Sequence, residues 1–231
     1  MLHYHGTPLT PRSELAKLAG RHFCVSFAAA QDADWCLAHG QSVMWDSGAF
    51  SAFTRGHTIE WDSYYRWLEP RIGGENWAVI PDVIDGTVEE QRTLVRQWPY
   101  PKVAGAPVWH MALPIDYLLD LADGWPRICF GSSGLYWQVG SQAWRRRADE
   151  AFNALARHGH IPWLKVHMLR GLRLAGERWP FASADSANVA RNFKNIGAQA
   201  CPERMVRRID AEQCPISWTE RAGKKGPFHG T

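Results

Sequence analysis

The sequence predicts a compact single-domain (β/α)8 barrel, and three observations carry that expectation. Eight short β-like runs alternate with helix-like stretches, the order that builds a parallel sheet with crossover helices. The 231 residues fall slightly short of the roughly 250 of a typical barrel, which leaves no room for a second domain. The residues that end the runs are unusually polar, as expected where strands deliver side chains to a common mouth.

Taken in order, the β-like runs cover residues 2–5, 22–27, 42–45, 77–81, 102–109, 127–130, 163–167 and 181–184. Amphipathic helical candidates lie between them at 11–19 behind a Thr10 cap, 30–39, 59–70, 88–98, 114–122, 141–158 and 169–177, with 188–196 after the eighth run. Asp46 is followed by a polar stretch, read as a loop, before the helix near Ile59. Residues 1–220 are expected to form the barrel, and 221–231 a polar C-terminal tail. An open doubly wound sheet is the rival architecture; a GxGxxG turn after the first strand would favour it, and the chain has none.

Composition narrows the function classes. With 45% hydrophobic and 21% charged residues the chain reads as globular rather than disordered or fibrous. A net charge of +3 is too mild to diagnose nucleic-acid binding, so any basic footprint must be local. Five scattered cysteines without a CxxC pair write neither a disulfide framework nor a zinc ribbon, and a reducing compartment fits them. The start lacks a signal-peptide pattern and no run reaches about 18 apolar residues, so the expected location is the cytoplasm, without a membrane partner. Most of the 13 tryptophans are expected in the core, leaving a few to stack on a base or sugar.

The strand ends supply the candidate chemistry. They read His5-Gly6-Thr7, Asp46-Ser47-Gly48, Asp82, His110, Gly131-Ser132-Ser133-Gly134, His167 and Asp185-Ser186. Each has a plain structural reading: an Asp after a strand caps a helix, and a strand-end His is satisfied by its neighbours. Their recurrence on most strands points instead to a shared site. Gly48 and Gly131 serve either as positive-φ turn residues or as gaps that admit a flat ligand to the backbone.

These residues also resemble, in order, the motifs of the guanine transglycosylase superfamily. Asp46-Ser47-Gly48-Ala49-Phe50-Ser51 is similar to its Asp-Ser-Gly-Gly-Phe-Gln motif, Ile80-Pro81-Asp82 to its second acidic strand end, and Pro107-Val108-Trp109-His110 to its Val-Gln-Gly segment. Phe130-Gly131-Ser132-Ser133-Gly134 resembles its base-binding turn, and His167-Met168-Leu169-Arg170-Gly171 its His-Leu-Met-Gly segment. Ala184-Asp185-Ser186 with Ala190-Arg191-Asn192 resembles its nucleophile strand and following arginine. The match spans about residues 42–195. The Cys-x-Cys-x-x-Cys…His zinc site of the tRNA-modifying members is missing, since Cys201, Cys214 and His229 have the wrong spacing. His110 stands for the usual Gln and Ala49 for the second Gly. The closest likeness is to the compact branch, encoded largely by phages and mobile islands, that inserts 7-deazaguanines into DNA on a TIM-like barrel without the zinc-binding subdomain.

The resemblance implies a base exchange at C1′ through two displacements, with Asp185 as nucleophile and Asp46 managing the proton, or those two roles reversed. Asp82 would accept from the N1–H and 2-amino edge, Gly131 N–H and His110 would address O6, and Phe50 would stack on the base. Ser47, Ser132 and His167 belong to the same substrate-binding motifs. The partners are a flipped or single-stranded guanine nucleotide of DNA and a free 7-deazaguanine base such as preQ0, with no cofactor and no metal. Phosphate contacts are expected from Arg145, Arg146, Arg147, Arg170, Arg173, Arg191, Lys194, Lys224 and Lys225. Competing readings are transglycosylation on RNA or tRNA, a nucleoside-type glycosidase, a noncatalytic nucleic-acid-binding barrel, and a metal-dependent hydrolase using His5, Asp46, Asp82, His110 and His167.

Overall fold

The computed structural model describes residues 1–195 and 201–220, and its centre is a parallel sheet that nearly closes into a barrel. The strands are β1 (Leu2–Gly6), β2 (His22–Ser26), β3 (Ser42–Asp46), β4 (Trp77–Val79), β5 (Gly105–Ala106), β6 (Val108–His110), β7 (Arg127–Gly131), β8 (Lys165–Met168) and β9 (Ser183–Ser186). Their order is β5-β4-β3-β2-β1-β9-β8-β7-β6, so the two end strands are neighbours in sequence. Among the described residues there are nine strands rather than the expected eight, because the run 102–109 opens as a 3-10 turn and then divides at Pro107. Proline has no N–H for the ladder. On one side of the division Ile80 N–H donates to the Ala106 carbonyl (3.0 Å); on the other Cys129 N–H donates to the Pro107 carbonyl (2.8 Å).

The helices are α1 (Arg12–Ala16), α2 (Ala33–His39), α3 (Ala49–Arg55), α4 (Trp61–Leu68), α5 (Val88–Arg96), α6 (Ile115–Gly124), α7 (Gln142–Arg157), α8 (Asn188–Asn192) and α9 (Pro202–Asp210). Three departures from expectation have local causes. Residues 169–177 keep only a 3-10 turn at Leu172–Leu174, because Arg170 is left-handed (φ 57°) and Gly171 and Gly176 bracket the rest. The supposed loop after Asp46 is helix α3, entered through left-handed Gly48 (φ 79°) and left through left-handed Gly56 (φ 66°). Helix α9 was not anticipated, although Pro202 at its first turn and the apolar spacing of Met205, Val206 and Ile209 signal it. Residue 196 of the expected last helix and the tail 221–231 lie outside the described residues.

The two-residue period of a strand sorts the core into two clusters. Tyr4, Cys24, Met44, Trp77, Val79, Ala106, Val108 and Cys129 point inward and fill the barrel. Their neighbours Phe23, Val25, Val43, Trp45, Trp109, Ile128 and Phe130 point outward and meet the helices. Both faces of the sheet are covered, as parallel sheets require. The barrel floor is pinned by Trp77 Nε1–H, which donates to the Tyr4 hydroxyl (2.9 Å), with the Arg127 guanidinium 4.5 Å from the Trp77 ring. Eleven of the 13 tryptophans are buried or half-buried in this packing; Trp137 and Trp163 are exposed.

His3 and His5 share the outward face of β1 and meet α9. His3 Nδ1 lies 3.3 Å and His5 Nε2 3.0 Å from Asp210 Oδ1, while Arg21 donates to Oδ2 (3.0 Å). Burial alone would raise the Asp210 pKa; the bonds from His3 and His5 outweigh it and hold the carboxyl below its ordinary 3.8. Asp210→Asn is expected to cost about 1–3 kcal/mol, a fall of roughly 2–10 °C in melting midpoint. A depressed carboxyl stabilises above its unfolded pKa, so the wild-type advantage should be full above about pH 4 and fade as acid is added. Melting both proteins across pH 2–7 checks it; equal midpoints at pH 6 would remove the Asp210 clamp.

Candidate active site

The alternation that fills the barrel also builds its mouth. Two residues beyond the inward apolar positions 4, 24, 44, 108 and 129 come Gly6, Ser26, Asp46, His110 and Gly131, and Asp185 follows inward-facing Ser183. With Asp82 just past β4, these residues line a cleft of about 1000 Å³ at the carboxyl ends of the strands. Asp46, Asp82, His110, Gly131, Ser132, Phe50 and Asp185, expected at the site, all meet there, joined by Arg170, Arg173 and Arg191.

The three carboxylates are held differently. Asp82 Oδ2 is 2.9 Å from His110 Nε2, and both residues are buried. Asp185 Oδ1 accepts the Arg170 backbone N–H (2.7 Å) and lies 3.2 Å from His167 Nε2, leaving Oδ2 without a partner among the described residues. His167 Nδ1 is in turn 2.8 Å from Ser183 Oγ. Burial lowers the His167 pKa. Its neutral form therefore donates from Nε2 to Asp185 and accepts the Ser183 hydroxyl at Nδ1. Asp46 has no imidazole partner: burial, with the charges of Asp185 and Asp82 adding to it, pushes its pKa up to about 6, against the Ser26 hydroxyl and the Gly48 N–H.

The two glycines resolve in opposite senses. Gly48 is a positive-φ turn residue. Gly131 has ordinary φ, but a Cβ there would lie 2.9 Å from His110 Nδ1 and from Val108 Cγ1, so its bareness makes room for the imidazole. Phe50 on α3 is exposed at the mouth, with the Arg170 guanidinium 3.8 Å from its ring centre. Because β3 and β8 are separated by β2, β1 and β9 in the sheet, that contact spans the opening.

Other expected site residues lie elsewhere. Ser47 is buried off the cleft and its Oγ accepts from Ala49 N–H (3.3 Å). His167 sits one layer below the cleft and reaches it through Asp185. Ser132 lines the cleft, but its Oγ accepts from Trp144 Nε1–H (3.0 Å). Arg145 is spent on Glu177 (2.7 and 3.0 Å), and Arg147 on the Met111 and Leu113 carbonyls and Glu150. Arg146 and Lys194 are exposed away from the cleft lining, and Lys224 and Lys225 fall outside the described residues. The set His5, Asp46, Asp82, His110 and His167 is not assembled, since His5 faces Asp210 outside the barrel. Among the described residues no group of three or more His, Cys, Asp or Glu side chains could hold a metal ion.

Arg55, at the end of α3, is a charged cleft residue that the sequence reading did not single out. Its signal was hidden because 49–55 looked like loop. Arg55, Arg170, Arg173 and Arg191 all line the cleft, and none is within ion-pair distance of a carboxylate among the described residues. The cleft is thus acidic at its floor and cationic around its opening. No family model, curated protein or solved structure matches this chain.

Asp46→Asn removes a carboxyl that folding renders hard to ionise. The folded state takes up a proton near pH 6, before the unfolded chain does near 3.8, so wild-type stability should rise as pH falls through that window. The variant should melt higher at pH 8, by about 1 kcal/mol since cleft water screens the charge, and lose the pH 4–6 rise. Parallel melting profiles that keep the same slope would remove the raised pKa. Gly131→Ala should push His110 off Asp82, visible as a shifted His110 Nε2 resonance in a nitrogen-15 spectrum; an unshifted resonance would show that the ring has other room.

Proposed function

We propose that this protein exchanges guanine in DNA for a free 7-deazaguanine base through a covalent Asp185–deoxyribosyl intermediate. The observation that carries the reading is the layered charge of the cleft: three carboxylates at the floor beneath four guanidinium groups at the opening that pair with no carboxylate among the described residues. Such a site suits a ligand whose phosphates stay outside while a neutral, donor-rich ring goes in. Guanine presents an N1–H and a 2-amino group on one edge, two donors that a carboxylate such as Asp82 can accept together. The ordered motifs shared with the guanine transglycosylase superfamily point the same way. On this reading β5 and β6 are two halves of one strand in an eight-unit barrel.

The chemistry divides among the acids by how each is held. Asp185 Oδ2 attacks C1′ as the C1′–N9 bond breaks, and the departing base takes its electron pair and a proton from Asp46. A carboxyl with a pKa near 6 is protonated often enough near neutrality to serve as that acid. The Arg170 N–H and His167 fix Asp185 from the opposite oxygen and so orient the attacking one. The incoming base then attacks C1′ through its N9, returns a proton to Asp46 and frees Asp185. Two inversions keep the β configuration. His110 holds Asp82 and contributes to the O6 side with the Gly131 N–H.

The test is incubation with labelled guanine and, separately, duplex DNA, single-stranded DNA and tRNA. Label should enter DNA, fall below detection in Asp185→Ala, and drop about 100-fold or more in Asp46→Ala. Asp82→Asn should raise KM for the free base more than it lowers kcat. Label entering tRNA alone would assign the site to RNA, release of base without incorporation would make it a glycosidase, and incorporation untouched by Asp185→Ala would end the proposed mechanism.

A further inference from the structure

The loop that follows β7, on the same side of the barrel as the cleft, carries two large apolar side chains that neither the core nor the proposed chemistry uses. Leu135 is 84% and Trp137 71% exposed, both just beyond β7, whose end supplies Gly131 and Ser132 to the cleft. Of the other exposed apolar residues, Leu2 opens β1, and Val103 and Trp163 precede β5 and β8, so these lie at the far end of the barrel. Leu135 and Trp137 are on the working face.

The segment that presents them is braced. Gly134, left-handed at φ 51°, opens a 3-10 turn through Tyr136; Tyr136 N–H donates to the Ser133 carbonyl (2.9 Å) and Trp137 N–H to the Gly134 carbonyl (3.2 Å). Ser133 Oγ accepts from Ala112 N–H (3.2 Å). Between the two exposed residues, Tyr136 turns inward against the core, with the Arg147 guanidinium 5.5 Å from its ring. A turn anchored at its middle residue thus holds its two apolar neighbours out in water. Farther along the same loop, a Cβ on Gly140 would be 3.6 Å from Arg173 Nη2, so the loop adjoins one of the cations of the opening.

Resting on the base-exchange reading above, we infer that Leu135 and Trp137 form a wedge that enters the base stack of duplex DNA beside the target nucleotide. A base in a duplex shields C1′ and its own donor edge, so the target must leave the stack to reach the carboxylates. The vacated gap is apolar and bounded by phosphates, and apolar wedges inserted between base steps recur in proteins that distort duplexes. The guanidinium groups of Arg55, Arg170, Arg173 and Arg191 around the opening complement the flanking phosphates. A single-stranded target needs no wedge, and that difference makes the inference testable.

The experiment compares wild type with the Leu135→Ala/Trp137→Ala double variant on three DNA substrates of one sequence. These are a fully paired duplex, a duplex with an abasic site opposite the target guanine, and the single strand. Both side chains are exposed, so folding should be unchanged, and matching melting midpoints verify it. Exchange on the paired duplex should fall roughly tenfold or more, and on the other two by less than about twofold, in line with the worth of one stacking contact. An equal loss on all three, or none on the duplex, would overturn the wedge while leaving the base-exchange reading intact. Wild type that incorporates no label into any substrate would sink that reading instead. Binding by Asp185→Ala to a duplex with 2-aminopurine beside the target then still decides the wedge. Fluorescence should rise with the wedge present and not when it is removed; no rise in either overturns it.

Discussion

The two-residue period of a strand, applied around a nearly closed sheet, is the constraint on which the rest of this protein depends. Tyr4, Trp77, Met44 and Cys129 fill the interior of the barrel, so nothing polar can be accommodated at that level without a partner. The next inward position on each strand emerges where the filling stops. Asp46, His110, Gly131 and Asp185 reach the cleft for this reason. The same rule turns His3 and His5 outward, where they secure α9 through Asp210 rather than serving the cleft.

Bringing three carboxylates into one cleft would be self-defeating if all were ionised and unpaired. The structure assigns each a different relief. Asp82 has a buried imidazole, Asp185 a backbone N–H and a neutral imidazole on one oxygen, and Asp46 a pKa near 6 that lets it take a proton. Groups of one chemical type are thereby held in three different ways. The division follows from the neighbours each carboxylate meets.

Around this acidic floor the loops supply the opposite charge and most of the shape of the opening. Helix α3 provides Phe50 and Arg55, the segment after β8 provides Arg170 and Arg173, and α8 provides Arg191. The Arg170–Phe50 contact crosses the mouth, linking elements from distant strands. Arg145 and Arg147 on α7, which look equally available in sequence, are consumed by Glu177, Glu150 and backbone carbonyls. A guanidinium is available to a ligand only where the fold leaves it without a carboxylate.

By itself the sequence determined the alternation of strands and helices, the polar strand ends and the identity of the three acids, because hydrophobic period and strand termination are local properties. Each expected β-like run overlaps at least one strand. Only tertiary structure decided the split at Pro107, which depends on what pairs on either side, and helix α3, whose glycine boundaries resemble loop punctuation. It also decided which side chains share a space. The spacing of Gly131 cannot reveal that its missing Cβ is occupied by His110, nor that of Arg145 that Glu177 waits 32 residues away. Partners remote in sequence meet only when the sheet closes, and they decide whether a polar residue is free to act.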